Sequence, residues 1–254
     1  MYVRNPQCEC KDYPDIDSIP FTERKSYQKF WRVGYIYNNG ASRECECHRK
    51  YRLTSRYDVI AKDKDLPSIS ELKEKKYVGD GKSYSRLKTL PDTLKENPSF
   101  KNIIVFMTGP AGNQKTTSAA KLMYSIILGG QTVEYVNYVD LLQKFLDNEY
   151  KPTEYLVADY LIIDDCFEGE TINFKTVYNC LYNLILKRRK PTILISDKSK
   201  DKVYDQSKPY YNKEMLDKVF DRIENCNGIL QFEDNVSKLE VLKNGPIDLW
   251  GSQA

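Results

Sequence analysis

Short runs of apolar residues alternate with longer segments in which apolar positions recur every three to four residues, and this alternation dominates the chain from residue 101 onward. The short runs predict buried strands, while the longer repeat is typical of helices with one buried face. The predicted strands lie at 103–107, 132–136, 160–163, 192–196 and 229–232, and the predicted helices at 116–128, 138–146, 174–187 and 213–224. This alternation predicts an α/β domain in which helices cover both faces of a parallel sheet.

The residues before 101 follow a different pattern. Residues 1–57 contain two close cysteine pairs and many aromatic residues, whereas residues 58–100 are charged and interrupted by proline and glycine. We therefore expect three parts: a small module at 1–57, a linker over 58–100 that includes a lead-in helix near 84–96, and an α/β domain over 101–254.

A segment rich in small residues joins the first strand of the α/β domain to its helix. It comprises Gly109, Pro110, Ala111, Gly112, Asn113, Gln114, Lys115, Thr116 and Thr117. Small residues let backbone N–H groups converge on phosphate oxygens at a helix N-terminus, where Lys115 can reach the phosphates and Thr116 can ligate Mg²⁺. The usual pattern has glycine where Gln114 stands, and a side chain there can alter the loop backbone or its fit to phosphate. The segment predicts a P-loop that binds ATP, with a loop of weak nucleotide affinity as the alternative.

Two carboxylates follow the apolar strand at 160–163. In P-loop enzymes the first carboxylate at such a strand end holds Mg²⁺, directly or through water, and Asp164 fits this role. Asp165 fits the role of a general base that polarises the attacking water. An Asp-Asp pair alone is also a common helix cap or turn, but its position in the same sheet, about 50 residues after Lys115, makes the pattern much more specific.

The segments 109–117, 161–165 and 190–197 together resemble the helicase-loader ATPases of bacteria and phages, the DnaC/DnaI type, and the related transposition ATPase IstB. The resemblance implies an AAA+ P-loop fold that binds ATP and Mg²⁺ and assembles into a homo-oligomer. It also implies two partners, a replicative ring helicase and single-stranded DNA.

The resemblance assigns catalytic roles to two further residues. Asp197 stands where the family usually has an asparagine that senses the γ-phosphate, and a carboxylate there repels phosphate unless it holds metal or water. Arg222 matches the family's arginine motif, which acts on the nucleotide of a neighbouring subunit. Without the resemblance, Arg222 would be interpreted as a surface ion pair.

Two cysteine pairs suggest a metal site near the N-terminus. Cys8 and Cys10, with Cys45 and Cys47, offer four thiolates for tetrahedral Zn²⁺, and His48 can replace one of them. Each pair is one residue tighter than the usual spacing, so free thiols remain the alternative. The second pair resembles the end of the zinc ribbon that precedes the ATPase domain in some loaders, so we expect a zinc-ribbon-like module at 1–57.

Composition narrows the cellular setting. No apolar run reaches the roughly 18 residues of a membrane span, and the N-terminus lacks the apolar stretch of a signal peptide. Seven cysteines without an export signal favour reduced thiols and a cytoplasmic location. The net charge of +3 is too small to establish a nucleic-acid partner.

We expect an ATP-dependent helicase loader that acts in DNA replication. The alternatives are an adaptor that keeps the P-loop fold without hydrolysing ATP, and an accessory ATPase of transposition. The resemblance places single-stranded DNA near 171–175 and 198–202, where Asn173 and Lys175 can contact phosphates and Phe174 can stack on a base. The alternative is that residues 171–175 cap the following helix, with Thr171 as its N-cap. The alternative DNA site is the basic cluster at 43–56.

Overall fold

A computed structural model shows how these elements pack. It describes residues 35–38, 41–44, 46–74, 81–96, 102–147, 152–167, 182–207, 213–225 and 228–232. No helix among these residues is long and apolar enough to cross a membrane.

The centre of the structure is a five-stranded sheet. Its strands are β3 (Ile104–Thr108), β4 (Val133–Asn137), β5 (Tyr160–Asp164), β6 (Thr192–Ser196) and β7 (Ile229–Gln231). They lie in the order β4-β5-β6-β3-β7, and every neighbouring pair is parallel. The predicted parallel α/β sheet is therefore confirmed. All five carboxyl ends meet at one edge, where ligands bind in open α/β sheets.

Helices cover both faces of this sheet. They are α1 (Glu46–Asp63), α2 (Ile69–Glu74), α3 (Gly81–Glu96), α4 (Lys115–Leu128), α5 (Tyr138–Leu146), α6 (Pro152–Val157), α7 (Lys200–Ser207) and α8 (Lys213–Glu224), with a further helical stretch at 182–187. Alternate residues of each strand point to opposite faces. Val105 and Met107 of β3 therefore join the core under α1 to α4, while Ile104 and Phe106 join the core under the remaining helices.

The region at 58–100 differs from the predicted linker. Helix α1 continues to Asp63, and α2 follows before α3 occupies the position of the lead-in helix. Tyr57 of α1 packs edge to face on Tyr124 of α4, with ring centroids 5.2 Å apart. Proline and glycine obscured this helical layer in the sequence, although Leu53, Tyr57 and Ala61 have the four-residue spacing of one buried helix face.

The predicted zinc module is mostly outside the described residues. A two-stranded antiparallel hairpin, β1 (Tyr35–Asn38) and β2 (Ala41–Glu44), precedes α1. Cys8, Cys10 and Cys45 are not described, and Cys47 lies in the first turn of α1. Nδ1 of His48 forms a hydrogen bond of 2.7 Å with Glu44 Oε1. The four-cysteine zinc site therefore stays a prediction.

Candidate nucleotide site

The P-loop follows β3 and is held against the end of β7. Gly109 has a φ of 148°, and a Cβ added to it would lie 2.1 Å from the carbonyl oxygen of Phe232. Asn113 donates a side-chain hydrogen bond of 2.8 Å to the same oxygen. The first glycine is therefore required for close contact between backbones, and these contacts anchor the loop to the sheet.

Gln114, which stands where the usual pattern has glycine, has a left-handed backbone conformation. It is the N-cap residue of α4, with φ 57° and ψ 27° in the left-handed region. Its carbonyl accepts the hydrogen bond of 2.8 Å from the Ser118 N–H, which starts the helix. The loop therefore holds a side chain at a left-handed position, at a conformational cost of about 1–2 kcal/mol, and the effect of Gln114 on phosphate binding stays a prediction.

Replacing Gln114 tests that cost. We expect Gln114→Gly to raise the melting temperature by no more than about 4 °C, because glycine removes the left-handed strain but adds entropy to the unfolded chain. Gln114→Val, with a β-branched side chain, is expected to lower it. Differential scanning calorimetry measures both, and a marked loss of stability in Gln114→Gly would contradict the assignment of strain.

Lys115 begins α4 with its ammonium turned toward the loop. Its Nζ donates to the carbonyl oxygens of Gly109 at 2.7 Å and Pro110 at 2.9 Å, and the residue is 8 % exposed. These acceptors hold the charge beside the converging N-terminal amides of α4, where an anion is favoured. At this position the ammonium can exchange the two carbonyls for phosphate oxygens.

The acidic pair lies at the end of β5, and each carboxylate accepts a hydrogen bond from β4. Tyr135 donates its hydroxyl to Asp164 Oδ2, and Asn137 donates its side-chain amide to Asp165 Oδ2 at 2.8 Å. Asp164 is buried, with 4 % of its surface exposed. Sequence reasoning missed Tyr135 and Asn137. Their alternate positions on a strand beside the acidic one were the available signal, since alternate residues share a face.

The surroundings of Asp165 raise its pKa above the ordinary value. Burial is the largest cause, followed by the nearby carboxylate of Asp164; Asp197 acts in the same direction, while Asn137 and Lys115 lower the pKa. Asp165 also has a positive φ of 54°, a backbone conformation that few residues other than glycine adopt. A carboxyl with a raised pKa is a better proton acceptor than an ordinary aspartate, as a general base requires.

Asp197 follows β6 and is exposed at the same edge of the sheet. Its neighbours tie this turn to the loop after the acidic pair. Ser196 Oγ donates to the Cys166 carbonyl at 2.8 Å, and Lys198 Nζ donates to the Phe167 carbonyl at 2.7 Å. Lys198, one of the lysines predicted to contact DNA, thus has a structural contact, whereas residues 171–175 lie outside the described part.

These residues line one open cleft of about 440 Å³. Its lining comprises Ala111, Gly112, Asn113, Gln114, Lys115, Thr116, Thr117, Asp164, Asp165, Ile195, Ser196 and Asp197. The structure therefore brings together most of the predicted nucleotide site. Loop amides, an ammonium and a helix N-terminus form a donor set that fits a polyphosphate.

Thr116 and Asp164 are the candidate Mg²⁺ ligands, and their oxygens suit that ion. Among the described residues, no cluster of three or more His, Cys, Asp or Glu could hold a metal. Mg²⁺ commonly binds through one or two carboxylates and completes its coordination with phosphate and water oxygens. The residues present therefore fit a Mg²⁺ that arrives with a nucleotide.

Arg222 does not line this cleft. Its guanidinium donates to the carbonyl oxygens of Ile185 at 2.7 Å, Arg188 at 2.9 Å and Asn102 at 3.2 Å. In the single chain these hydrogen bonds cap the helical stretch at 182–187. Action on a neighbouring subunit would require these hydrogen bonds to break, and this role stays a prediction.

No family model and no curated protein matches the chain. Among solved structures, AMPPCP-bound DnaA from Aquifex aeolicus is 21 % identical, with a TM-score of 0.48 over 66 % of this chain and 51 % of that chain. The DnaC helicase loader is 18 % identical, with a TM-score of 0.46 over 61 % and 93 %. DnaI is 12 % identical, with a TM-score of 0.42 over 58 % and 82 %. The matched part spans about half the length of the DnaA structure. The chain is thus similar to solved DnaC and DnaI structures, the type that its motifs resemble, and also to DnaA.

Proposed function

We propose that this protein binds ATP with Mg²⁺ in the cleft between the P-loop and the acidic end of β5, and hydrolyses the nucleotide slowly. One observation carries the proposal: Lys115 and Thr116 line the same open cleft as Asp164 and Asp165. An ammonium and helix amides for phosphate, and carboxylates for metal and water, are the groups that phosphoryl transfer to water requires.

Each group has a distinct task. Lys115 leaves its loop carbonyls and binds phosphate oxygens, while the amides at the start of α4 hold the remaining charge. Thr116 and Asp164 would hold the Mg²⁺ ion, which would neutralise charge on the phosphates. Asp165 accepts a proton from the attacking water, and Asn137 fixes the orientation of that carboxylate. Asp197, at the mouth of the cleft, orients water or metal.

We also propose the finer function that the motifs suggest: loading of a replicative ring helicase onto single-stranded DNA by an oligomer of this chain. The resemblance of segments 109–117, 161–165 and 190–197 to helicase loaders supports this proposal. Arg222 of one subunit would then act on the nucleotide of the next. The cysteine module would bind Zn²⁺ and contact DNA or protein. The related IstB proteins make an accessory role in transposition the alternative within the same class.

The decisive experiment measures phosphate release with ATP, oligonucleotide and helicase present, for wild type and Asp165→Asn. Loss of a general base typically costs 10²–10⁴-fold in rate, so we expect phosphate release to fall at least about 100-fold. Nucleotide affinity should change less than about threefold, because the amide keeps the size of the carboxylate. Glu154→Gln, at an exposed acidic residue of α6, is the matched control.

A specific observation favours the second candidate, an adaptor that binds nucleotide without hydrolysis. Asp197 places a third carboxylate at the cleft with Asp164 and Asp165, and this negative charge opposes an incoming γ-phosphate. If wild type binds ATP but releases no phosphate under any of these conditions, the adaptor replaces the ATPase. If it binds no nucleotide at all, the proposed site is wrong.

A further inference from the structure

The carboxylate of Asp164 is held from behind by hydrogen bonds of the protein itself. Its Oδ1 accepts the backbone N–H of Asp165 at 2.9 Å, and its Oδ2 accepts the hydroxyl of Tyr135. A carboxylate offers about four acceptor sites. Both oxygens accept a hydrogen bond from the protein, and each keeps a lone pair that can face the cleft. The carboxylate therefore has one defined orientation.

Tyr135 reaches Asp164 because of the strand register. Tyr135 pairs with Ile162, and Asn137 pairs with Asp164. Tyr135 therefore lies beside the β5 residue that precedes Asp164 by two positions. Tyr135 and Ile162 belong to the core under α4, and Tyr135 is only 7 % exposed. Packing against this core restricts the ring to few rotamers, and the position of its hydroxyl is correspondingly fixed.

We infer that Tyr135 is a positioning residue for the metal ligand: its hydroxyl fixes the Asp164 carboxylate in the orientation that holds Mg²⁺ of a bound nucleotide. This inference rests on the proposed function. Tyr135 is not among the residues that line the cleft, so it would act on the metal through Asp164 and not by direct contact. Residues that support a ligand in this way typically contribute 10–100-fold to metal affinity.

The test is Tyr135→Phe, which removes one oxygen and keeps the ring. A fluorescent ATP analogue is titrated into the full chain at a series of Mg²⁺ concentrations and in EDTA. We expect the Mg²⁺ concentration for half-maximal effect to rise about 10-fold, and the affinity in EDTA to stay within about twofold of wild type. Binding of Mn²⁺ with nucleotide, followed by electron paramagnetic resonance, should weaken in parallel. A Mg²⁺ midpoint within twofold of wild type overturns the inference.

Tyr57→Phe is the matched control. The Tyr57 hydroxyl donates to the Pro67 carbonyl at 2.7 Å, and its ring lies in the same core as Tyr135. This variant therefore loses a phenol hydrogen bond that does not involve the acidic pair. It should reduce the free energy of unfolding by about 1 kcal/mol and leave the Mg²⁺ midpoint unchanged. An equal shift in Tyr57→Phe and Tyr135→Phe would show a general packing effect and overturn the positioning role.

A double-mutant cycle tests whether Tyr135 acts through Asp164. In an Asp164→Ala background, Tyr135→Phe should no longer shift the Mg²⁺ midpoint, because the carboxylate that it positions is gone. Incorporation of 4-aminophenylalanine at position 135 restores a donor and should recover most of the wild-type midpoint. If Tyr135→Phe does not fold, 4-fluorophenylalanine at position 135 fills the same volume without a donor and replaces it in every comparison.

The outcomes for the inference and for the proposed function are separate. A wild-type chain that binds no nucleotide at any Mg²⁺ concentration refutes the proposed function, and the inference falls with it. A wild-type chain whose binding depends on Mg²⁺, with an unchanged midpoint in Tyr135→Phe, keeps the proposed function and refutes the inference alone.

Discussion

Lys115→Ala is expected to weaken ATP binding about 100-fold. The ammonium is positioned to exchange two carbonyl acceptors for phosphate oxygens, and hydrogen bonds to charged groups contribute about 1.5–3 kcal/mol each. Two such contacts correspond to at least two orders of magnitude in the dissociation constant. Fluorescence anisotropy with a labelled ATP analogue, in the presence of Mg²⁺, measures the change directly.

Two further variants make this result specific. Lys218→Ala removes an exposed ammonium on α8 that pairs with Glu214, and it should leave ATP binding unchanged. Lys115→Arg keeps the charge but replaces a compact ammonium with a planar fork, so it should recover only part of the affinity. Binding by Lys115→Ala within threefold of wild type would show that the nucleotide site lies elsewhere.

Much of the cleft could be predicted from sequence because its parts are local. Lys115 and Thr116 follow a strand and open a helix, and the acidic pair ends another apolar strand. In a parallel sheet these points meet at one edge, so order along the chain is enough to place them together. The left-handed conformation of Gln114 could not be predicted in this way, since glutamine rarely adopts it and the contacts that hold it come from the whole loop.

The residues that support the site were missed because their partners are distant in sequence. Tyr135 and Asn137 act on carboxylates 29 and 28 residues later, through the register of β4 on β5. The helical layer before the sheet was missed for a different reason. Its apolar positions are spaced as on a helix, but the surrounding charge, proline and glycine favoured a linker.

Two adjacent arginines show most clearly what could not be predicted from the sequence. Arg188 and Arg189 are adjacent and chemically identical, yet Arg188 is completely buried and Arg189 is exposed. Periodicity in the helix at 182–187 does not distinguish them, because the chain leaves the helix just before Arg188. Only the structure shows that α6 ends with carbonyl groups directed at the Arg188 side chain.

Arg188→Met is expected to reduce the free energy of unfolding by at least about 4 kcal/mol. Arg188 Nη2 donates to the carbonyls of Ala158 at 2.8 Å and Pro191 at 3.1 Å, Nη1 donates to Tyr155, and Nε donates to Thr192 Oγ1 at 3.1 Å. Methionine replaces the stem but none of the donors, so several buried acceptors lose their partners at about 1–3 kcal/mol each.

The matched control for this prediction is Arg189→Met, which removes the neighbouring charge from an exposed position and should change stability by less than about 0.5 kcal/mol.

Arg188→Lys should remain strongly destabilising, because one ammonium cannot reach acceptors spread around a planar fork. Burial lowers the pKa of Arg188 to about 10. The guanidinium is therefore still charged at neutral pH, and Arg188→Met and Arg188→Lys are both compared with a charged wild-type side chain. Thermal unfolding followed by circular dichroism should show a melting temperature about 10 °C lower for Arg188→Met. Equal melting temperatures for Arg188→Met and Arg189→Met would mean that the end of α6 is not held by Arg188.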